Sequence, residues 1–335
     1  MTPYSVLHSG DFTLQRASMR GRKSLEQLPG GLGTFAPLGS PRVTYGLTEE
    51  SGREGSEMIV VYLNRLQPDG GPMRWVGGRA RSAHVAVTVA FHGGTTEAPS
   101  DTVAAMLAET NDTRLVEVNR KGRELRPLVA EGDLLVLDQQ DVRRGESTAV
   151  ALIDESLQAG RPVCVVPVEW TGEGQGVFVG LEDDESSERA LTFAAEEALR
   201  MGHTLILVHA WREPAMTLDG PMAILGSPAS WLQSHRDHLE RARASLAQCF
   251  PGVRTRTTIS RATPERTLVA ASVDAAEVVL GSHAPTWGAV SREVMRLAGC
   301  PVLIVPPLPH SHSRVGHGSG VSDIRVSASR SARPS

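Results

Sequence analysis

The sequence predicts an α/β protein with two open, mostly parallel five-stranded sheets, helices on both faces of each, arranged as a pseudo-dimer within one chain. Three observations predict it. Short continuous apolar runs at 134–137, 163–166, 278–280 and 302–305 read as strands buried on both faces. Helical stretches separate them, and strand, helix, strand at this spacing makes parallel strands with helical crossovers. The chain also repeats itself: "RPLVAEGDLLVLDQQ" and "GRPVCVVP" in the first half return as "RTLVAASVDAAEVVLGSH" and "GCPVLIVP" in the second.

Residues 1–40 mix Pro29, Gly30, Gly31, Gly33, Pro37 and Ser40 with scattered apolar positions and no sustained period, which reads as a loose head. The opening strand and helix of the first unit are expected to be missing or unrecognisable; residues 41–65, with the apolar run 58–63, are the candidate for a degraded form of them, since no helix stripe is legible there. Strand 84–91, helix 100–109 and strand 114–118 follow, and strands 134–137 and 163–166 close the unit. The "GEGQG" at 172–176 precedes its strand instead of following it, which excludes a dinucleotide-binding turn and suits a linker.

The second unit is plainer. Strand 177–181 leads to a helix over about 187–201, where Ala190, Ala194 and Ala198 recur at four-residue spacing beside Leu191, Ala195 and Leu199. Glu185 and Glu188 begin it, Arg200 stands in its last turn and Gly202 is placed to cap it. Strand 204–208 and a loop over 213–229 come next, then a helix capped by Ser230 with Leu232, Leu239, Ala242 and Leu246 inward, stopped by Pro251 and Gly252. Strand 253–259 alternates β-branched and polar residues and should be half exposed, unlike strands 278–280 and 302–305. From 306 to 335 Ser, Gly, His and Arg dominate, and the few apolar residues do not repay the entropy of ordering, so the tail is expected to be disordered.

Composition narrows the function classes. The 335 residues are 40% hydrophobic, enough for two cores. With 34 basic and 38 acidic side chains the formal charge is -4, so no broad cationic field holds a nucleic-acid backbone. Lys23 and Lys121 are the only lysines, which excludes a Walker-type phosphate loop or a Schiff base beyond residue 121. Cys164, Cys249 and Cys300 are too scattered for a disulfide framework or a zinc knuckle. Residues 1–11 hold no basic segment followed by an apolar core, and no apolar run comes near the roughly 18 residues of a membrane helix, so a cytoplasmic location without membrane contact is expected.

The opening "VFVGLEDDESSERALTFAAEEALRMGHTLILVHAW" and the closing "AAEVVLGSHAPTWGAVSREVMRLAGCPVLIVP" resemble the strand ends, alanine-rich helix, helix start and final strand of a universal stress protein domain. The resemblance spans about 174–306 and divides the chain into a head (1–40), a degenerate first domain (41–169), a second domain (170–307) and a tail (308–335). It implies a pocket for ATP or AMP contacted by Glu182, Val208, Gly281, Gly288 and Ser291. The chain departs from the family's nucleotide loop, in which two residues separate the first two glycines and nine more precede a third that is followed by Ser or Thr. Gly281 and Ser282 match, but Ala284 replaces the second glycine, Gly288 comes six residues early and Ala289 replaces the hydroxyl. A short loop containing Pro285 and Trp287 offers fewer backbone amides to phosphates. Asp138 stands where the first copy would have Gly281.

Other candidates have plainer readings. The acids from Glu182 to Glu185 favour a helix N-terminus by its dipole, or hold a divalent cation as hard ligands. His235 and His238 have metal spacing without a third ligand in view, and His310, His312 and His317 lie in the tail. His209 and His92 end strands, where structural histidines and ligand contacts both occur. Ser227 and Ser282 lack a nucleophile elbow. The expectation is a non-enzymatic binding or regulatory module of a bacterial stress or dormancy response, with no metal, with adenine nucleotide bound weakly or not at all, and with an unidentified protein partner. One competing class is a slow ATPase or nucleotidyl-handling enzyme whose metal Asp183 and Asp184 would hold. Another is a pure interaction scaffold in which strands 163–166 and 302–305 pair edge to edge, with further association into a homodimer left open.

Overall fold

A computed structural model describes residues 5–7, 57–65, 70–82, 85–92, 112–118, 125–182, 186–211, 228–282 and 287–307. In chain order they form β1 (Ser5–Leu7), β2 (Glu57–Leu63), a helix Gly71–Ser82, β3 (Val85–His92), β4 (Asp112–Val118), a helix Leu125–Glu131 and β5 (Leu134–Asp138). Helices Gln139–Arg144 and Ser147–Gln158 lead to β6 (Val163–Val166). The second half runs β7 (Val177–Gly180), helix Ser186–Met201, β8 (Leu205–Ala210), helix Pro228–Cys249, β9 (Thr255–Ser260), helix Pro264–Ala271, β10 (Glu277–Gly281), helix Ala289–Leu297 and β11 (Val302–Val305).

All these strands join one 11-stranded sheet in the order β1-β9-β8-β7-β10-β11-β6-β5-β2-β3-β4. Each half is a parallel five-stranded unit with its first strand in the middle, the α/β architecture expected from the repeat. The two sheets do not stay separate: β6 and β11 pair antiparallel, matching Val302 with Val165, Leu303 with Cys164 and Ile304 with Val163. That register is symmetric about the Cys164 and Leu303 pair, as in an isologous interface. Both strands are apolar and fully buried, and as free edges they would present unpaired amides and carbonyls.

The expectation of a missing opening strand and helix in the first half is corrected. β2 is the central strand of that half, paired with β3 and β5, and the helix Gly71–Ser82 follows it. This helix escapes pattern reading because Gly77 and Gly78 lower its intrinsic propensity. Packing holds it, through buried Met73, Trp75, Val76 and Ala80. Gly71 is required there, because a Cβ would lie 1.9 Å from the Pro167 carbonyl oxygen. The second-half helices bury Ala190, Ala194, Ala195, Ala198, Leu239 and Leu246 as expected, but Leu199 of the expected stripe is 48% exposed while Glu197 is buried. Gly202 ends Ser186–Met201 at φ 66° with His203 N donating to Ala198 O at 2.9 Å. Ser230 is not a cap, since that helix begins at Pro228.

The core is two apolar layers, one on each face of the sheet, and both run through both halves. One joins Val61, Met73 and Trp75 to Ala194, Ala198, Leu207 and Leu239. The other joins Tyr62, Leu137 and Leu152 to Val208, Leu280, Val294 and Met295. Polar contacts also cross the seam: Gln139 Nε2 donates to Ala298 O at 2.7 Å, and Arg189 Nη1 donates to Gly160 O at 3.0 Å. The expected helix 100–109 and the tail from 308 lie outside the described residues, as does all of the head except β1, which pairs with β9.

Candidate functional site

A cavity of about 300 Å³ opens at the carboxyl ends of β7, β8 and β10. Strand order reverses between β7 and β10, and open α/β sheets bind ligands at such a switch point. Its floor is Gly180, which pairs with Val208 on one side and Leu280 on the other. Leu181, Ala210, Pro264, Leu268 and Val290 make the walls apolar. All five residues singled out in the sequence, Glu182, Val208, Gly281, Gly288 and Ser291, line this one cavity. Glu182 is exposed at the mouth, where Ser187 Oγ accepts from its amide at 3.0 Å and donates to its carbonyl at 2.9 Å.

The helix Ala289–Leu297 begins at the cavity with no side-chain hydrogen bond at its N-cap, Gly288. First-turn amides of such a helix attract negative charge. Ser291, in that turn, is 5% exposed. Trp287, just before the helix, is buried beneath the Arg292 guanidinium, 5.0 Å from the ring centre. Asp183, Asp184, Glu185 and Ser227 lie outside the described residues.

Strand registers locate the same place in the first half. Tyr62 pairs with Ala90 and Leu137 as Gly180 pairs with Val208 and Leu280, so a tyrosine stands where the cavity has its glycine. By the same registers His92 replaces Ala210, and Asp138 replaces Gly281. His92 therefore matches Ala210 and not His209 as the sequence had paired them. His92 Nδ1 donates to Val118 O at 3.3 Å, which leaves Nε2 to accept from the Tyr62 hydroxyl at 2.9 Å. The fully buried Tyr62 ring occupies the floor. Burial raises the Tyr62 phenol pKa above its ordinary value, so it stays a neutral donor.

The helix starts of the first half carry their own anions. Asp138 Oδ1 accepts from Gln140 N at 2.7 Å, and Glu146 Oε2 accepts from Ala149 N at 2.7 Å. Burial raises Asp138 to about 6, against the Gln140 amide, which favours the charged form.

His209, His235 and His238 lie on the sheet side away from the cavity. His209 Nδ1 donates to Leu181 O at 2.9 Å, and its Nε2 then accepts from His235 Nδ1 at 2.9 Å. The rings of His209 and His238 have centres 5.6 Å apart, so the fold brings a third imidazole to the His235 and His238 pair. Among the described residues, no group of three or more His, Cys, Asp or Glu has the geometry to hold a metal ion.

Residues 174–306 match the family model described as the universal stress protein family. A universal stress protein of Mycobacterium tuberculosis is 29% identical over 213 residues, which is 61% of this chain and 66% of that protein, just under two thirds. Residues 174–306 are therefore a universal stress protein domain. A second universal stress protein of that organism is 33% identical over 143 residues, 39% of this chain and 47% of its own length. Among solved structures, a universal stress protein from Archaeoglobus fulgidus covers 75% of this chain and 96% of its own, with TM-score 0.50 and 12% identity. A functionally unknown protein from Pseudomonas aeruginosa covers 75% of this chain and 93% of its own, with TM-score 0.54 and 12% identity. Such identities speak for the fold alone, and the likeness is too long to lie within one half.

In this universal stress protein domain, sequence reading found the loop residues and missed the floor. Leu268 carries no motif, Gly180 was read only as part of a strand end, and Tyr62 lies in the segment taken as degraded. A comparison of "IVVY" with "VFVG" had the signal, but only strand register shows that the two segments correspond. No helix of the described residues is long and apolar enough to cross a membrane.

Proposed function

We propose that the chain is a non-enzymatic binding and regulatory module of a bacterial stress or dormancy response, with one small-ligand cavity that takes ATP or AMP weakly or not at all. The observation that carries this reading is the contrast between the halves, open over Gly180 and filled by Tyr62. The cavity is at the small end of the range for ligand pockets. Among its described lining residues there is no lysine, arginine or histidine to meet a phosphate chain, and Glu182 puts a negative charge at the mouth. The same lining gives Ser187, Ser282 and Ser291 no imidazole or lysine to act as a base, which supports a binding role over a catalytic one.

Equilibrium dialysis of the full chain with labelled ATP and AMP tests the reading. It expects at most one nucleotide per chain, held more weakly than roughly micromolar. Binding at roughly micromolar strength or tighter, or two nucleotides per chain, overturns it. The ATPase reading depends on Asp183 and Asp184. It gains if the full chain releases phosphate from ATP at a rate that Asp183→Asn with Asp184→Asn reduces.

A further inference from the structure

On the sheet face opposite the cavity, a buried charge cluster crosses the seam between the halves. Arg79, on the helix Gly71–Ser82, donates to Glu57 of β2 at 3.0 and 3.1 Å and to Glu197 of the second half at 2.5 Å. Arg200 donates to Glu197 from its other side at 2.5 Å and stands 3.7 Å from Glu277. Glu277 opens β10, and its Oε1 accepts from the first-half Trp75 Nε1 at 2.7 Å. It is 1% exposed, and its Oε2 has no hydrogen-bond partner among the described residues.

Among the described residues, two guanidinium groups face three carboxylates. Glu57 keeps 29% of its side chain in solvent, and Glu197 is held by both arginines. Glu277 has the weakest cation contact, a neutral indole on one oxygen and nothing on the other. An ionised carboxylate so placed is costly, and a proton on it balances the cluster. The strand architecture does not require an acid here. Leu134 holds the matching position in the first half, pairing with Ile59 as Glu277 pairs with Val177.

We propose that Glu277 carries a proton at neutral pH and is a pH-sensitive latch between the two halves, released when alkaline solution ionises it beside Glu197. Burial first, then the Glu197 charge, raise its pKa to about 8, against Arg200, the Trp75 hydrogen bond and Arg79. Burial and then Glu277 itself push the thiols of Cys164 and Cys300 up, and both stay neutral across this range. Glu196, on the outward side of its helix, is raised by burial and by Glu197. The folded chain holds the Glu277 proton more tightly than the unfolded chain does. Its contribution to stability is therefore greatest at acidic pH, declines above the ordinary glutamate range and is lost above about 8.

The test is a carbon-13 NMR titration of the glutamate carboxyls in the full chain from about pH 5 to about pH 10. One resonance should titrate near pH 8 and be missing from Glu277→Gln. Trp75→Phe, which removes a donor that favours the anion, should move that midpoint upward and identifies the resonance even if Glu277→Gln fails to fold. Amide exchange of the helix Gly71–Ser82, corrected for intrinsic rate, should quicken as pH rises from the ordinary glutamate range towards that midpoint and level off above it in the native chain, and not in Glu277→Gln. A Glu277 midpoint in the ordinary glutamate range, one unmoved by Trp75→Phe, or exchange that follows pH equally in both chains overturns the proposal.

Discussion

Gly180 and Tyr62 hold one register position in two halves of one fold, and the difference between them is a cavity. A Cβ on Gly180 would stand 2.7 Å from Leu280 Cδ2 and 3.4 Å from Leu268 Cδ1, so the floor has no room for a side chain without movement. Gly180→Val should therefore lower stability by about 1–3 kcal/mol, the usual cost of overpacking, as read by urea denaturation. An unchanged midpoint would mean that Leu280 and Leu268 yield freely and that the cavity is not shaped by the glycine. The same scale explains why site reading was uneven. Gly281 and Gly288 stand in a recognisable loop pattern, whereas Gly180 has meaning only through its neighbours Val208 and Leu280.

Among the elements, the final strands were legible and their partner was inferable. β6 and β11 were read at their observed limits, because four-residue apolar runs after a Pro or a Pro-bearing turn have few other uses. Their pairing places Cys164 opposite Leu303. Cα atoms opposite each other in an antiparallel pair lie about 4.5–5.5 Å apart, within the span of a disulfide. Leu303→Cys in a Cys249→Ser background should form an intramolecular disulfide with Cys164 under mild oxidation, visible as a mass loss and a mobility change. Free thiols at both positions after oxidation would contradict the seam. The helix Gly71–Ser82 was illegible for the opposite reason, since its glycines and arginines hide a stripe that only burial against the sheet reveals.

At the scale of the whole molecule, the two halves share both apolar layers and a buried ion cluster, and neither layer closes without residues from both. Arg79 is the joint of that cluster, 7% exposed and bonded to a carboxylate in each half. Arg79→Leu leaves Glu197 with less compensation, and should cost about 3–5 kcal/mol in urea denaturation. Adding Glu197→Gln should recover a good part of the loss, because the uncompensated charge is then gone. A double variant as unstable as the single one would assign the loss to packing of the arginine stem instead.

The sequence by itself determined the repeating α/β units, the helix stripes and strands of the second half, the family they resemble and the loop residues of its cavity. These follow from local period and composition, which the chain carries within about ten residues at a time. Only the tertiary structure decided that the two sheets are one, that Tyr62 fills the place left open above Gly180, and that Glu277 is buried against Trp75. Each of those depends on residues far apart in the chain, and distance in sequence says nothing about which strand edge, ring or charge will be neighbours once water has been excluded between them.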